Sequence, residues 1–572
     1  MRLGAATDGD GTTFRLWSTA HDRCELRLVD SDQIVPMQHV GGRVFEARVP
    51  GIGHGARYRF VLDGTETNDP YARFLPDGIT GPAMVWQPRH TWRHDHVIRP
   101  LREHVIYELH VGTFTREGTY AAARARLSEL VDLGVTAVEL LPLAAFGGKH
   151  GWGYDGVAHY APHAAYGSPD ELAAFVDAAH ASGLAVLLDV VYNHFGPAGN
   201  IIGQYSPEYF TRELQTAWGE APNFRQPWMR RYVLDNVRYW LEDFRCDGLR
   251  LDAVHAIIDP SDRHVLRDLA SLAHNVVPGA ILIAEDDRND PALIEKTGFD
   301  GVWADDFHHA VHVTLTGERD GYYASYEPGA QTIAKAIQHG WLYEGQTYPA
   351  SGKPRGKPAR SLPAEAFIYC LQNHDQIGNR AFGDRLPAGD KLAAATTLLL
   401  FLPMTPLLFQ GEEWGASSRF LYFTDHDPEL GKLVSKGRRE EFGKFAAFAD
   451  PAVRAKIPDP QARTTLDASK LDWSERGQGE HARMLALHTA LLRLRREDPV
   501  MARAGREALS AEAQGPLLVV KRWIGGNERV LVANLGDAPV KSPIVGPVLV
   551  ASNATDLPAL PPWSAVIVAT QR

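Results

Sequence analysis

From Val105 to Phe409 short apolar runs alternate with amphipathic segments, and that alternation leaves the chain few ways to fold. The run Val105-Ile106-Tyr107-Glu108-Leu109-His110-Val111 is followed by a segment of helical period, Tyr120 to Leu133. Thr136 to Leu141, the helical segment Pro169 to Ala181 and the run Ala185 to Asp189 continue the pattern, which ends at Pro406-Leu407-Leu408-Phe409. Eight strand candidates can be counted. Strands apolar on both faces belong to parallel sheets covered by helices, and eight of them joined by right-handed crossovers close a (β/α)8 TIM barrel. A doubly wound open sheet is the alternative, but no glycine-rich phosphate loop follows the first strand.

Two flanking regions change period. Residues 1–97 alternate apolar and polar in Thr13 to Trp17, Cys24 to Leu28 and Tyr58 to Leu62, with turns at Asp10-Gly11 and Gly41-Gly42. A small immunoglobulin-like β-sandwich is expected there. A polar stretch from Arg89 to Arg102 links it to the barrel, assigned to residues 98–497, whose last helix is read at Glu480 to Arg496. Residues 498–572 return to strand alternation in Leu517 to Trp523, Arg529 to Ala533 and Ala565 to Val568, which predicts a C-terminal β-sandwich.

Charge and cysteine usage narrow the function. Lys and Arg number 59 against 70 Asp and Glu, a net charge of −11. Nucleic acid calls for a basic face, so no nucleic-acid partner is expected. Cys24, Cys246 and Cys370 have no paired spacing, so neither a zinc site nor a disulfide framework is indicated. Met1 to Ala5 lacks the apolar core of a signal peptide. The longest apolar run, Leu392 to Phe409, is broken by Pro403 and Pro406 and reads as a buried helix and a strand, not a membrane span. A soluble cytoplasmic protein is expected.

The strand ends carry the chemistry. Asp189 to His194, Gly248 to Asp252, Ala284-Glu285 and Asn373-His374-Asp375 each follow an apolar run, so they converge at the carboxyl end of the barrel. Two carboxyl groups beside an arginine are what cleavage of a glycosidic bond requires. Arg250 and Asp252 are two residues apart and share a strand face. The guanidinium is expected to lower the Asp252 pKa and keep it an ionised nucleophile, while that charge raises Glu285 and keeps it a proton donor. Asp375 would hold the distorted sugar, His194 would assist, and Asp189 is read as holding Arg250 or the loop backbone in place. Asp286, Asp287 and Asp290 read as solvated loop charges. His308 and His309 lack a further ligand at metal spacing and are read as sugar contacts. Trp152 and Tyr154, beside Gly153 after the second strand, are read as a platform for a pyranose ring.

These segments resemble the α-amylase family of glycoside hydrolases, in the right order over nearly the whole barrel. The resemblance implies Asp252 as nucleophile, Glu285 as proton donor and Asp375 as transition-state stabiliser of a retaining double displacement. Arg250, His194 and His374 match positions lining the cleaved sugar. Within that family the chain is most similar to the trehalose-releasing branch. The similarity lies in Arg250-Leu251-Asp252-Ala253-Val254-His255, Ala284 to Asn289, Asp305-Asp306-Phe307-His308-His309, His374-Asp375-Gln376-Ile377-Gly378-Asn379, Tyr422 to His426 and Asp69 to Phe74. It implies substrate contacts at Arg250, Leu251, Ala253, Val254, His255, Asp305, Asp306, Phe307, His308, His309, His374, Gln376, Ile377, Gly378 and Asn379. It also implies hydrolysis of the α-1,4 bond next to the terminal trehalose of maltooligosyl trehalose, a substrate supplied by a trehalose-forming glucan isomerase. The implied reaction needs no cofactor, and no obligatory metal is expected, because the loop from Asn193 to Phe224 is short for the calcium-binding insertion of many amylases.

A glucan branching enzyme, with a sugar hydroxyl in place of water, is the nearest rival; a debranching enzyme is weaker. A non-catalytic glucan-binding barrel is the rival from another class, and such proteins lose the nucleophile or the acid, both of which stand in this chain.

Overall fold

The computed structural model describes residues 2–216, 219–386, 388–443, 448, 450–553 and 556–572. Eight parallel strands close into a barrel: β1 (Ile106–Leu109), β2 (Ala137–Leu140), β3 (Ala185–Val190), β4 (Gly248–Leu251), β5 (Ile281–Ala284), β6 (Gly301–Trp303), β7 (Phe367–Cys370) and β8 (Thr405–Phe409). The two-residue period sorts their side chains. Ile106, Ala137, Leu187, Ile283, Ile368 and Leu407 meet inside the barrel. Val138, Val186, Leu188, Leu249 and Leu251 point outward into the larger core under the helices. Extending the inward set by two residues reaches Glu108, Glu139, Asp189, Arg250, Asp252 and Glu285, so the barrel becomes polar toward its carboxyl end.

Local signals set the helices. Ser168 caps helix Pro169–Ala181 in a reciprocal capping box with Glu171, and Pro169 fills the first turn, where its missing N–H costs nothing. Two expectations need correction. The segment Tyr120 to Leu133 is two helices, Tyr120–Arg124 and Leu127–Leu133; the break turns Arg126 over the Trp473 ring, 4.6 Å from its centroid. Helix Gly479–Glu497 is not the last, because Pro499–Arg503 forms another turn.

The first module packs two antiparallel sheets around Phe14, Leu16, Leu26, Phe45 and Phe60. At the other end five strands, Leu509–Gln514, Leu517–Ile524, Asn527–Asn534, Ser564–Gln571 and Val548–Ala551, pair antiparallel in that order beside a small two-stranded sheet. The three cysteines are free and buried. Among the described residues no helix is long and apolar enough to cross a membrane.

Candidate active site

Arg250 organises the carboxyl end of the barrel. It is fully buried, its guanidinium lies 4.1 Å over the Trp303 ring, and it serves three carboxylates at once. Nη1 donates to Asp189 Oδ2 at 2.6 Å and Asp252 Oδ1 at 3.2 Å, while Nη2 donates to Glu285 Oε2 at 2.8 Å. Tyr154 supports the anchor, its hydroxyl donating to Asp189 at 2.5 Å. One cation thus holds the two candidate reacting acids side by side.

Asp252 receives a second donor on its other oxygen, the Asn193 side-chain amide at 2.8 Å. Glu285 Oε2 also accepts from the Ala253 backbone N–H at 2.9 Å. Presenting that N–H puts Ala253 in the left-handed region, φ 38°, a strained conformation for a residue with a Cβ. With Oε2 doubly engaged, Oε1 is left to carry a proton.

Burial is the first cause of the shift at Glu285, with Asp252 and Asp375 adding to it against the pull of Arg250; together they raise the carboxyl to about 7. The like charge foreseen from the sequence therefore adds to the shift but does not dominate it. Asp252 also departs from expectation. Burial raises it and outweighs Arg250 and the Asn193 amide, which pull it down.

Asp375 faces the cleft with a third of its side chain exposed. Asn379 donates to its Oδ1 at 3.0 Å, and His374 Nε2 lies 3.4 Å from Oδ2. His374 is in turn gripped by Glu108, which accepts from Nδ1 at 2.6 Å and from the backbone N–H at 2.9 Å. Burial works against a charge on His374, but Asp375 and Glu108 raise its pKa to about 10, so the ring is an imidazolium at neutral pH. Tyr154 stacks on it at 5.0 Å. His194 is neutral, lowered to about 4 by burial, with Nε2 3.1 Å from the Tyr154 carbonyl.

Other expected contacts are sorted by burial. Asp305 sits with the acids; burial, Glu285 and Asp375 raise it to about 7. His255 is exposed at the rim, 3.6 Å from Asp287. Gln376 accepts from the Tyr322 and Tyr323 hydroxyls at 3.2 Å, with His309 Nε2 3.4 Å from its amide nitrogen.

Several positions do not line the pocket. Leu251, Val254 and Ile377 lie in apolar clusters, and Phe307 is stacked on Tyr369 at 4.2 Å behind the barrel wall. His308 is buried, its Nε2 3.4 Å from the Tyr323 hydroxyl. Asp306 is spent internally: Oδ2 accepts from Asn289 and the N–H groups of Leu342 and Tyr343, and Oδ1 from Tyr326. Trp152 is no platform. Its ring lies against Phe420 at 5.2 Å, and a Cβ on Gly378 would stand 2.1 Å from it, so Gly378 makes room for packing, not for substrate. Asp286 is buried, held by Arg288 at 2.6 Å, and is not a solvated loop charge.

Four contributors escaped sequence reasoning. Glu108, Glu139 and Trp303 point inward from their strands, and Asn193 holds Asp252; an acid in the middle of an apolar strand was the one readable signal, at Glu108 and Glu139. Glu139 is buried with both carboxyl oxygens unpartnered, and burial raises its pKa far above the usual carboxylate range. Among the described residues one trio has metal-type ligands close together, His255, Asp286 and Asp287, and Arg288 already neutralises Asp286.

Comparison with known proteins agrees with this geometry. Residues 110–215 match the alpha amylase catalytic domain, residues 2–72 match carbohydrate-binding module 48 (isoamylase N-terminal domain), and residues 506–567 match a domain of unknown function (DUF3459). The malto-oligosyltrehalose trehalohydrolase of Deinococcus radiodurans is 50% identical, over 96% of this chain and 92% of that protein. That of Saccharolobus solfataricus is 38% identical, over 97% and 96%. A crystal structure of a putative alpha amylase from Salmonella typhimurium superposes with a TM-score of 0.92 at 38% identity, covering 100% of this chain and 99% of that one.

Proposed function

The chain belongs to the malto-oligosyltrehalose trehalohydrolases of the α-amylase family, and from that membership we propose that it hydrolyses the α-1,4-glucosidic bond beside the terminal trehalose of a maltooligosyl trehalose. Asp252 attacks the anomeric carbon while the Oε1 proton of Glu285 passes to the glycosidic oxygen, so trehalose leaves as a neutral alcohol. A covalent glycosyl–Asp252 ester remains. Glu285, now ionised, takes a proton from water, and the resulting attack frees a maltooligosaccharide with its configuration retained. Asp375 and the His374 imidazolium bind sugar hydroxyls as the ring flattens, with Tyr154 behind them.

One observation carries this reading: a single buried guanidinium holds both acids. Two neighbouring nitrogens of one planar group hold both carboxyls, an arrangement that supports covalent capture over a pair spread apart to admit a water. The substrate implies a supplier, an isomerase that turns the reducing end of a glucan into a 1,1-linked pair. We further propose that residues 98–497 form the catalytic unit between modules at 1–97 and 498–572, working in the cytoplasm.

Chromatography of the products from maltotriosyl trehalose tests the assignment. Trehalose and maltotriose in equal amounts are expected. New branch points without free trehalose would mean a branching enzyme; glucose or maltose without trehalose would mean a plain amylase.

A further inference from the structure

The first module turns its aromatic side chains inward. A pyranose ring packs on a flat exposed aromatic face, yet every Phe, Tyr and Trp between residues 2 and 97 is buried or half-buried. Trp17 instead meets Tyr209 of the barrel edge-on at 4.9 Å and stacks on Trp228 at 5.6 Å.

The barrel reciprocates. Its loop between β3 and β4 sends Tyr205 into the core of the sandwich, where the ring joins Phe60 at 6.4 Å and the hydroxyl donates to the Asn68 carbonyl. Ser18 Oγ donates to the Tyr205 carbonyl at 2.7 Å, and the Thr19 N–H to Ser206 Oγ at 2.9 Å. Ile79 closes over Gly199 of the same loop, so tightly that a Cβ there would stand 2.3 Å from its methyl. That loop begins at Asn193, whose amide holds Asp252. A second path reaches the same place. Tyr71 packs on Tyr232 at 5.0 Å, the Tyr232 hydroxyl is 3.2 Å from His159 Nδ1, and His159 Nε2 donates to the Val191 carbonyl at 3.0 Å.

We propose that the leading sandwich is a positioning module for the catalytic pocket: by burying Tyr205 in its own core it fixes the loop that sets the Asn193 amide on Asp252. Tyr205 is a positioning residue, since it touches no reacting atom. Reacting groups are sensitive to such support, for a displacement of about 1 Å costs on the order of 100-fold in rate. The inference rests on the pocket being the catalytic one.

Full-length Tyr205→Ala, Tyr205→Phe, Val49→Ala and Asp252→Asn proteins test it on maltotriosyl trehalose, at a temperature where circular dichroism shows each folded. Tyr205→Ala should lower kcat about 10- to 100-fold with KM changed by less than about threefold, the mark of misplaced chemistry rather than lost binding. Tyr205→Phe keeps the ring and should stay within about threefold of the parent in kcat. Val49→Ala, in the other sheet of the sandwich, should leave kcat unchanged. If Tyr205→Ala does not fold, Ile79→Ala carries the same expectation as a several-fold loss of kcat. An unchanged kcat in Tyr205→Ala, or an equal loss in Val49→Ala, overturns the proposal while an inactive Asp252→Asn leaves the site standing. An active Asp252→Asn sinks the site itself.

Discussion

In the proposed mechanism the cation that holds Asp252 for attack also decides which oxygen of Glu285 can give up a proton. Arg250 and the Ala253 N–H occupy Oε2, and burial, aided by two neighbouring acids, sets the carboxyl near pH 7. An acid must be protonated to donate, so turnover should fall as the pH rises through about 7. Glu285→Gln should lose about 10²- to 10⁴-fold in kcat on maltotriosyl trehalose. On a maltosyl fluoride, whose leaving group needs no proton, the loss should be far smaller and the fall above pH 7 should vanish. Equal impairment on both substrates would take proton donation away from Glu285. The acids were legible because each ends an apolar run, and Arg250 because side chains two apart share a strand face. Their supports were not. Glu108 lies 266 residues from the His374 it holds, and nothing local distinguishes Asp305, among the acids, from Asp306, consumed by four internal donors.

Elements were legible where period and punctuation agree, as in Pro169–Ala181 and the barrel strands, and illegible where a partner far along the chain completes them. Helix Asp390–Phe401 is buried all round, as its apolar composition foretold, but its carboxyl end shows no glycine cap. Two arginines do that work. Arg495, from helix Gly479–Glu497, donates to the Leu400, Leu402 and Met404 carbonyls, and Arg522, from strand Leu517–Ile524, donates to Phe401 at 2.7 Å. Arg522 also serves the Met501 and Ala504 carbonyls at 2.7 Å, with no carboxylate among the described residues in ion-pair contact. The unpaired C=O groups of a helix end carry partial negative charge, which favours cations there. Burial depresses both pKa values, that of Arg495 to about 10, still well above neutrality. Arg522→Met fills similar volume but strands three buried carbonyls, so a loss of about 3 kcal/mol is expected, read as an earlier calorimetric transition with kcat preserved. An unshifted transition would mean that water reaches these carbonyls and the cap is dispensable.

The two flanking modules are joined to the barrel in different ways, and the difference predicts which can be removed. The leading sandwich has a core of its own, into which the barrel inserts Tyr205 with Ala145, Ala158 and Ala161. The trailing sheet is divided by its two-residue period. Val530, Val532, Val566 and Val568 pack among themselves, while Leu518, Val520, Leu531 and Ile567 belong to the same cluster as the barrel helix residues Leu398 and Leu399. No sequence signal announced this, because a strand alternating over two apolar faces reads the same whether its second face meets a loop or another domain. A side chain of that size contributes about 1.5–3 kcal/mol when buried, so the loss of these four, with the Arg522 cap, is comparable to the whole stability of a typical domain, about 5–15 kcal/mol. The chain ended at residue 505 should therefore aggregate on expression, and the full chain should melt barrel and trailing sheet in one transition. A soluble, active 1–505 fragment with the parent's melting temperature would show that the barrel core closes without the sheet.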